Sequence, residues 1–174
     1  RLEISSQADR RFGTLSMGEI RLVGIALALM GTPRRLILDE PFHGLDALER
    51  ERVLRCLRNP CPDRTILFAT QLPQEVETFA DRVVVLRAGK ILFKGTIEEF
   101  RKIADQRVWE ITAPLQQIEQ LQIHGARVIR NRGEITTIRG LGKPPQYAQA
   151  ILVMPTVEDA YLWLMRQYER NANR

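Results

Sequence analysis

Two neighbouring carboxylates, Asp39 and Glu40, follow the continuously apolar run Leu36-Ile37-Leu38 and are closed off by Pro41. A run of that kind suits a strand buried on both faces of a sheet, so the acids are expected at its C-terminal tip. Ligands of open α/β sheets collect at such tips. One carboxylate there can hold a divalent cation while its neighbour polarises a water; a turn that merely ends the strand is the plainer alternative. Upstream, Ser16-Met17-Gly18-Glu19 has the spacing of a capping box and opens a helix, whose unpaired N–H groups attract an anion. Ser16 as a purely structural cap is compatible with that role. Asp46 and Glu49 repeat the capping pattern, and Thr70-Gln71 stands at the end of a second strand-like run, Thr65 to Ala69. The chain has two histidines. His43 reads as a turn residue or an interface contact, and His124, with no carboxylate or cysteine nearby in sequence, as a surface residue.

The elements that must position these groups alternate helix, strand, helix, strand, helix, strand from Ser16 onward, the order that builds a parallel sheet with crossover helices. Ile20, Val23, Leu27 and Met30 predict one buried face of the first helix, and Gly31-Thr32-Pro33 stops it. Val53, Leu54 and Leu57 mark a second helix ending near Asn59-Pro60. Val83 to Leu86, the turn Arg87-Ala88-Gly89-Lys90 and Ile91 to Phe93 predict a hairpin, and Thr96 to Glu99 cap a further helix. Past about residue 106, Trp109 to Ile111, Arg127 to Ile129 and Ile135 to Ile138 alternate like half-exposed antiparallel strands, and Thr156 to Tyr168 reads as a closing amphipathic helix. The expected division is 1–105 for the parallel-sheet domain and 106–174 for a small α+β domain.

Composition narrows the function classes. An apolar content of 44% over 174 residues can fill a core, so disorder is not the expectation. No stretch approaches a membrane helix, and Arg1 to Ser5 lacks the features of a signal peptide, so the reading is a soluble, cytoplasmic chain. Cys56 and Cys61 suggest neither a disulfide framework nor a zinc site. The net charge of +5 is scattered among 21 acids with no aromatic-studded basic run, so no nucleic acid is expected as a partner.

The order of these motifs resembles the ATP-binding subunit of ABC transporters. Leu15 to Glu19 is similar to the family's signature motif, Leu36 to Pro41 to its Walker B strand, His43 to Asp46 to its D-loop, and Thr70-Gln71 to its switch loop. The resemblance implies an α/β P-loop NTPase fold in part, with ATP and Mg²⁺ as cofactors. It implies Asp39 on the metal, Glu40 as the base that orients the attacking water, and Ser16 and Gly18 reaching the γ-phosphate on a partner ATPase subunit. It also implies Asp46 at that dimer interface, homodimeric or heterodimeric. Met17 stands where the family usually has glycine, and Gln71 where it more often has histidine. Glutamine can donate a hydrogen bond to a phosphate oxygen but cannot take up a proton.

The P-loop pattern G-x-x-x-x-G-K-[ST] is absent: Gly89-Lys90 is followed by Ile91, and Gly142-Lys143 by Pro144. The expectation is therefore a C-terminal half of the ATPase domain that binds ATP poorly by itself. Met154-Pro-Thr-Val-Glu-Asp-Ala-Tyr161 resembles the C-terminal extension of ATPases that serve exporters. Together these imply a subunit at the inner face of the cell membrane that drives a separate transmembrane permease. Two further readings stand beside it: a non-catalytic or regulatory remnant, and a soluble ABC ATPase of DNA repair or translation.

Overall fold

The computed structural model describes residues 2–5, 9–58, 64–120, 126–145 and 149–172. His124, Cys61 and the helix end at Asn59-Pro60 lie outside them. The fold is mixed α/β, and the chain separates into two compact units, Arg1–Leu72 and Pro73–Arg174.

In the first unit, helix α1 (Met17–Leu29) begins where the capping residues place it. Ser16 Oγ accepts from the Glu19 N–H at 3.1 Å, and Glu19 returns a carboxylate to the Ser16 N–H at 2.7 Å. A cap of this type is worth about 1 kcal/mol. The buried face is Gly18, Leu22 and Ile25, whereas Ile20 and Val23 are half-buried and Leu27 and Met30 are exposed. The helix is apolar nearly all round, so periodicity alone does not select a face. The close approach at Gly18 does: a Cβ there would lie 3.0 Å from the Gly44 carbonyl oxygen.

Strand β1 (Arg35–Asp39) crosses over through helix α2 (Ala47–Arg58) to strand β2 (Thr65–Ala69), and the two strands pair in parallel with Leu36 opposite Ile66 and Asp39 opposite Ala69. Asp46 caps α2 reciprocally with Glu49, and Val53 and Leu57 turn inward. Leu36 and Leu38 are buried, but Ile37 is 78% exposed and Leu67 62%. Burial of β1 on both faces is thus corrected. Alternate residues of a strand point to opposite faces, and only one face of this pair is covered by described residues. Phe42, fully buried beyond the strand tip, meets Phe68 edge to face at 6.2 Å.

The second unit opens with helix α3 (Pro73–Phe79) and the hairpin of strands β3 (Arg82–Arg87) and β4 (Lys90–Thr96). Ala88 and Gly89 both take positive φ, +47° and +72°, which matches the strand twist through a type I′ turn. Among the described residues β3 pairs only with β4, so the third strand of the sequence alternation joins a hairpin. Helix α4 (Ile97–Lys102), capped by Thr96 and Glu99, leads to strand β5 (Val108–Pro114), helix α5 (Leu115–Gln120), strands β6 (Arg127–Arg132), β7 (Ile135–Leu141) and β8 (Ile151–Leu152), and helix α6 (Val157–Ala172). The last four strands form an antiparallel sheet in the order β6-β7-β5-β8. The core joins Val85, Ile97 and Phe100 to Val108, Val157 and Ala160, so the expected boundary near residue 106 falls inside this unit's own core. Trp109 is laid across Gly140 on the neighbouring strand so closely that a Cβ there would stand 2.1 Å from the indole.

The most densely paired charges of this unit sit where α6 begins. Asp159, fully buried, accepts from Arg139 at 2.6 and 3.0 Å, from Arg127 at 2.8 Å, and from the N–H and hydroxyl of Thr156 at 2.9 and 2.8 Å. Arg139 also donates to Glu110 and to the Met154 carbonyl. Burial pushes the Asp159 carboxyl up, but the hydrogen bonds and charge of Arg139, together with the Thr156 bonds, outweigh it and hold the carboxyl below its ordinary value. Arg139 is held above its own ordinary value: burial works against its charged form, and its bonds to Asp159 and Glu110 prevail.

Candidate functional site

The carboxyl ends of β1 and β2 lie side by side, and this sets the geometry of the candidate site. Asp39 pairs with Ala69, and the Glu40 N–H donates to the Ala69 carbonyl at 2.9 Å. Thr70 and Gln71 leave the neighbouring strand at the next two positions, where the Thr70 hydroxyl accepts from the Leu72 N–H at 3.1 Å. Asp39, Glu40 and Gln71 therefore issue from adjacent strand exits, with Asp39 and Gln71 exposed and Glu40 half-buried.

Glu40 adopts a left-handed backbone, with φ +47°. For a residue with a side chain that conformation costs about 1 to 2 kcal/mol, and it bends the chain sharply out of the strand. The bend is fixed on both sides: the Glu40 N–H is held by Ala69, and its carbonyl accepts from the His43 N–H at 3.1 Å. No local residue pattern announces it, because a residue before proline is biased toward extended backbone.

Two further contacts bring α1 and the turn after β1 to this rim. Arg21, one turn into α1, donates to the Asp39 carbonyl at 3.2 Å, and the start of α1 at Gly18 packs against Gly44, itself at φ +77°. Arg21 carried no sequence signal, being one arginine among many on a helix. At the helix start the Ser16 N–H and hydroxyl are both engaged by Glu19, which leaves the N–H groups of Met17 and Gly18 as the free donors of the first turn. Among the described residues no hydrogen bond joins Ser16 to Asp39, Glu40 or Gln71. Asp46 is exposed, with one carboxylate oxygen engaged as the cap of α2.

The donor set suits Mg²⁺ better than a soft metal: it offers carboxylate oxygens and no sulfur or imidazole beyond the exposed His43, and Mg²⁺ is commonly bound by one or two carboxylates plus substrate phosphates. The carboxylates of Asp39 and Glu40 have no described partner, so both are available to a cation or a water.

Residues 1–43 match the family model described as ABC transporter. Over 95 residues, 55% of the chain, it is 39% identical to ATP-binding cassette sub-family A member 9 of Homo sapiens, of which it covers 6%. It is 33% identical over 105 residues to the uncharacterized ABC transporter ATP-binding protein YxlF of Bacillus subtilis, covering 60% of this chain and 36% of that one. It is also 38% identical over 100 residues to the molybdenum import ATP-binding protein ModC 1 of Azotobacter vinelandii, covering 56% of this chain and 28% of the relative. A solved structure described as a cobalt transport ATP-binding protein superposes with a TM-score of 0.48 at 19% identity, over 83% of this chain and 50% of the other. The chain thus spans well under half the length of these curated relatives. The apolar strand, its two tip acids and the capped helix start stand in their expected order in a chain whose first 43 residues match the ABC transporter model and whose relatives above are named as ATP-binding cassette or ABC-type ATP-binding proteins.

Proposed function

We propose that the chain is part of the ATP-hydrolysing subunit of an ABC exporter, and that the rim formed by the β1 and β2 exits is half of its catalytic site. The observation that carries this reading is the fixed left-handed bend at Glu40, beside the exit of Gln71 and backed by Arg21 on the Asp39 carbonyl. Backbone strain of this kind concentrates where a side chain must be aimed.

Asp39 would hold Mg²⁺ at the strand tip, and Glu40 would accept the proton of the water that attacks the γ-phosphate. The cation, when bound, neutralises charge that develops on the phosphate oxygens. Gln71 donates its amide to a phosphate oxygen or the water, a positioning role that takes up no proton. The Met17 and Gly18 N–H groups present the positive end of α1 to the γ-phosphate of an ATP held by a second ATPase subunit, with Asp46 on the same face. The β-phosphate cradle is not assigned to any of these residues, since the 174 residues contain no P-loop pattern. The bare face of Ile37 and Leu67 supports the same view, for it is the kind of surface further strands or helices of an ATPase domain cover.

The subunit works at the cytoplasmic face of the membrane on a separate permease. No helix of the described residues is long and apolar enough to cross a bilayer. Export rests on the likeness of Met154 to Tyr161 to exporter extensions; relatives named for molybdenum and phosphonate import share the ATPase sequence. In the complete subunit, Glu40→Gln should lower ATP turnover by about 10² to 10⁴-fold while ATP-driven dimerisation persists. Unchanged turnover removes Glu40 from the role of base, whereas a subunit with no turnover before substitution favours the non-catalytic reading, to which the absent P-loop pattern and Gln71 point.

A further inference from the structure

The second unit carries a cavity of about 360 Å³ that the reading above does not use, lined by Arg107, Leu141, Gly142, Lys143, Trp163, Arg166 and Arg170. Four of its seven lining residues are cations and none is an acid. Two of the guanidinium groups are positioned by the fold. Arg107 lies over the Trp163 ring with its carbon 5.7 Å from the centroid, and Arg166 donates to the Leu141 carbonyl at 3.2 Å. Arg166 and Arg170 stand four residues apart on α6, a spacing at which like charges on a helix repel. The floor is held in place as well: the Gly142 N–H donates to the Arg107 carbonyl at 2.7 Å, and Gly142 takes φ +111°, a backbone that residues with side chains rarely adopt.

Arg107, Lys143 and Arg170 alone bring three like charges to one concavity, which is unfavourable unless something anionic relieves it. Guanidinium forks match the oxygens of carboxylate and phosphate, and the two differ in charge and in number of acceptors. A phosphate monoester brings close to two negative charges and three terminal oxygens, enough acceptors for several cationic donors at once. A carboxylate brings one charge and two oxygens. We propose that this cavity is a binding site for a phosphate-bearing ligand, whether a free phosphate compound or the phosphate of a lipid headgroup, separate from the ATP-hydrolysing rim.

The test uses the full chain and follows the indole and amide NMR signals of Trp163 and Gly142. Titration with glycerol 3-phosphate at constant ionic strength should shift those signals, with an affinity that falls as salt is raised and is at least tenfold above that for acetate. The double variant Lys143→Gln, Arg170→Gln, made at two exposed positions, should weaken binding at least tenfold with an unchanged melting temperature. Vesicles containing phosphatidic acid, set against phosphatidylcholine alone, separate the sources. Vesicle binding abolished by the double variant assigns the headgroup; a response to the soluble ester with none to vesicles assigns the free compound. No shift at Trp163 with either probe, or equal binding by the double variant or by acetate, overturns the proposal.

Discussion

In the unit Arg1–Leu72 the chemistry-bearing groups sit on the outside of a thin apolar frame, while in Pro73–Arg174 the most fully paired carboxylate lies at the centre. Asp39, Asp46 and Gln71 are exposed at the exits of a parallel strand pair that shows one bare apolar face, whereas Asp159 is enclosed by two arginines and a threonine. Charges left in water can be redirected to a cation or a phosphate at little cost. Charges taken out of water must be satisfied permanently, because desolvation makes each unpaired one expensive. The same residue types therefore serve opposite ends: in one unit availability, in the other a fixed junction between β5, β7 and α6.

The largest effect that sharpens this contrast is expected at Arg139. Arg139→Met strips Asp159 of its principal partner and leaves a buried charge partly uncompensated, a change that costs about 3 to 5 kcal/mol. Both tryptophans, Trp109 and Trp163, lie in the second unit, so denaturant unfolding followed by their fluorescence reports on that unit alone. A midpoint that does not move would mean the ion pairs are ornamental and the contrast is lost.

Acid gives a smaller effect of defined sign. The folded carboxyl of Asp159 lies below its unfolded value of about 4, so its contribution to stability is complete above that pH and is lost as pH falls through the folded value. The second unit should therefore weaken on the acid side of about pH 4, and Asp159→Asn should flatten that part of the profile while lowering stability at neutral pH. A profile identical in the variant would place the acid sensitivity elsewhere.

How far the sequence went follows the same division. The capped helix starts at Ser16, Asp46 and Thr96 were legible because a cap is a local contract between residues three apart, and the turn at Ala88-Gly89 because a type I′ turn has a short signature. The carboxylates at the β1 tip were legible from an apolar run ending in charge. What escaped depends on partners distant in the chain. The buried face of α1 was decided by Gly18 against Gly44, the bend at Glu40 by a hydrogen bond to Ala69, and the ion-pair centre by Arg127 and Arg139 converging on a residue at the start of the last helix. The exposure of Ile37 escaped for another reason: an apolar strand looks the same in sequence whether one of its faces is covered or both.

That ambiguity gives the smallest expected effect. Leu38→Ala, on the covered face, should cost about 2 to 5 kcal/mol, as buried leucines do. Ile37→Ser, one position away and 78% exposed, should change the stability of this 174-residue chain by no more than about 0.5 kcal/mol, measured by amide hydrogen exchange across the β1–β2 ladder. In a complete ATPase subunit the same serine should become costly, because a neighbour packed on that face loses an apolar contact and meets a hydroxyl instead. Equal small costs in both settings would mean the face stays open to water in the whole protein. A large cost already in this chain would mean that its second face is covered from within.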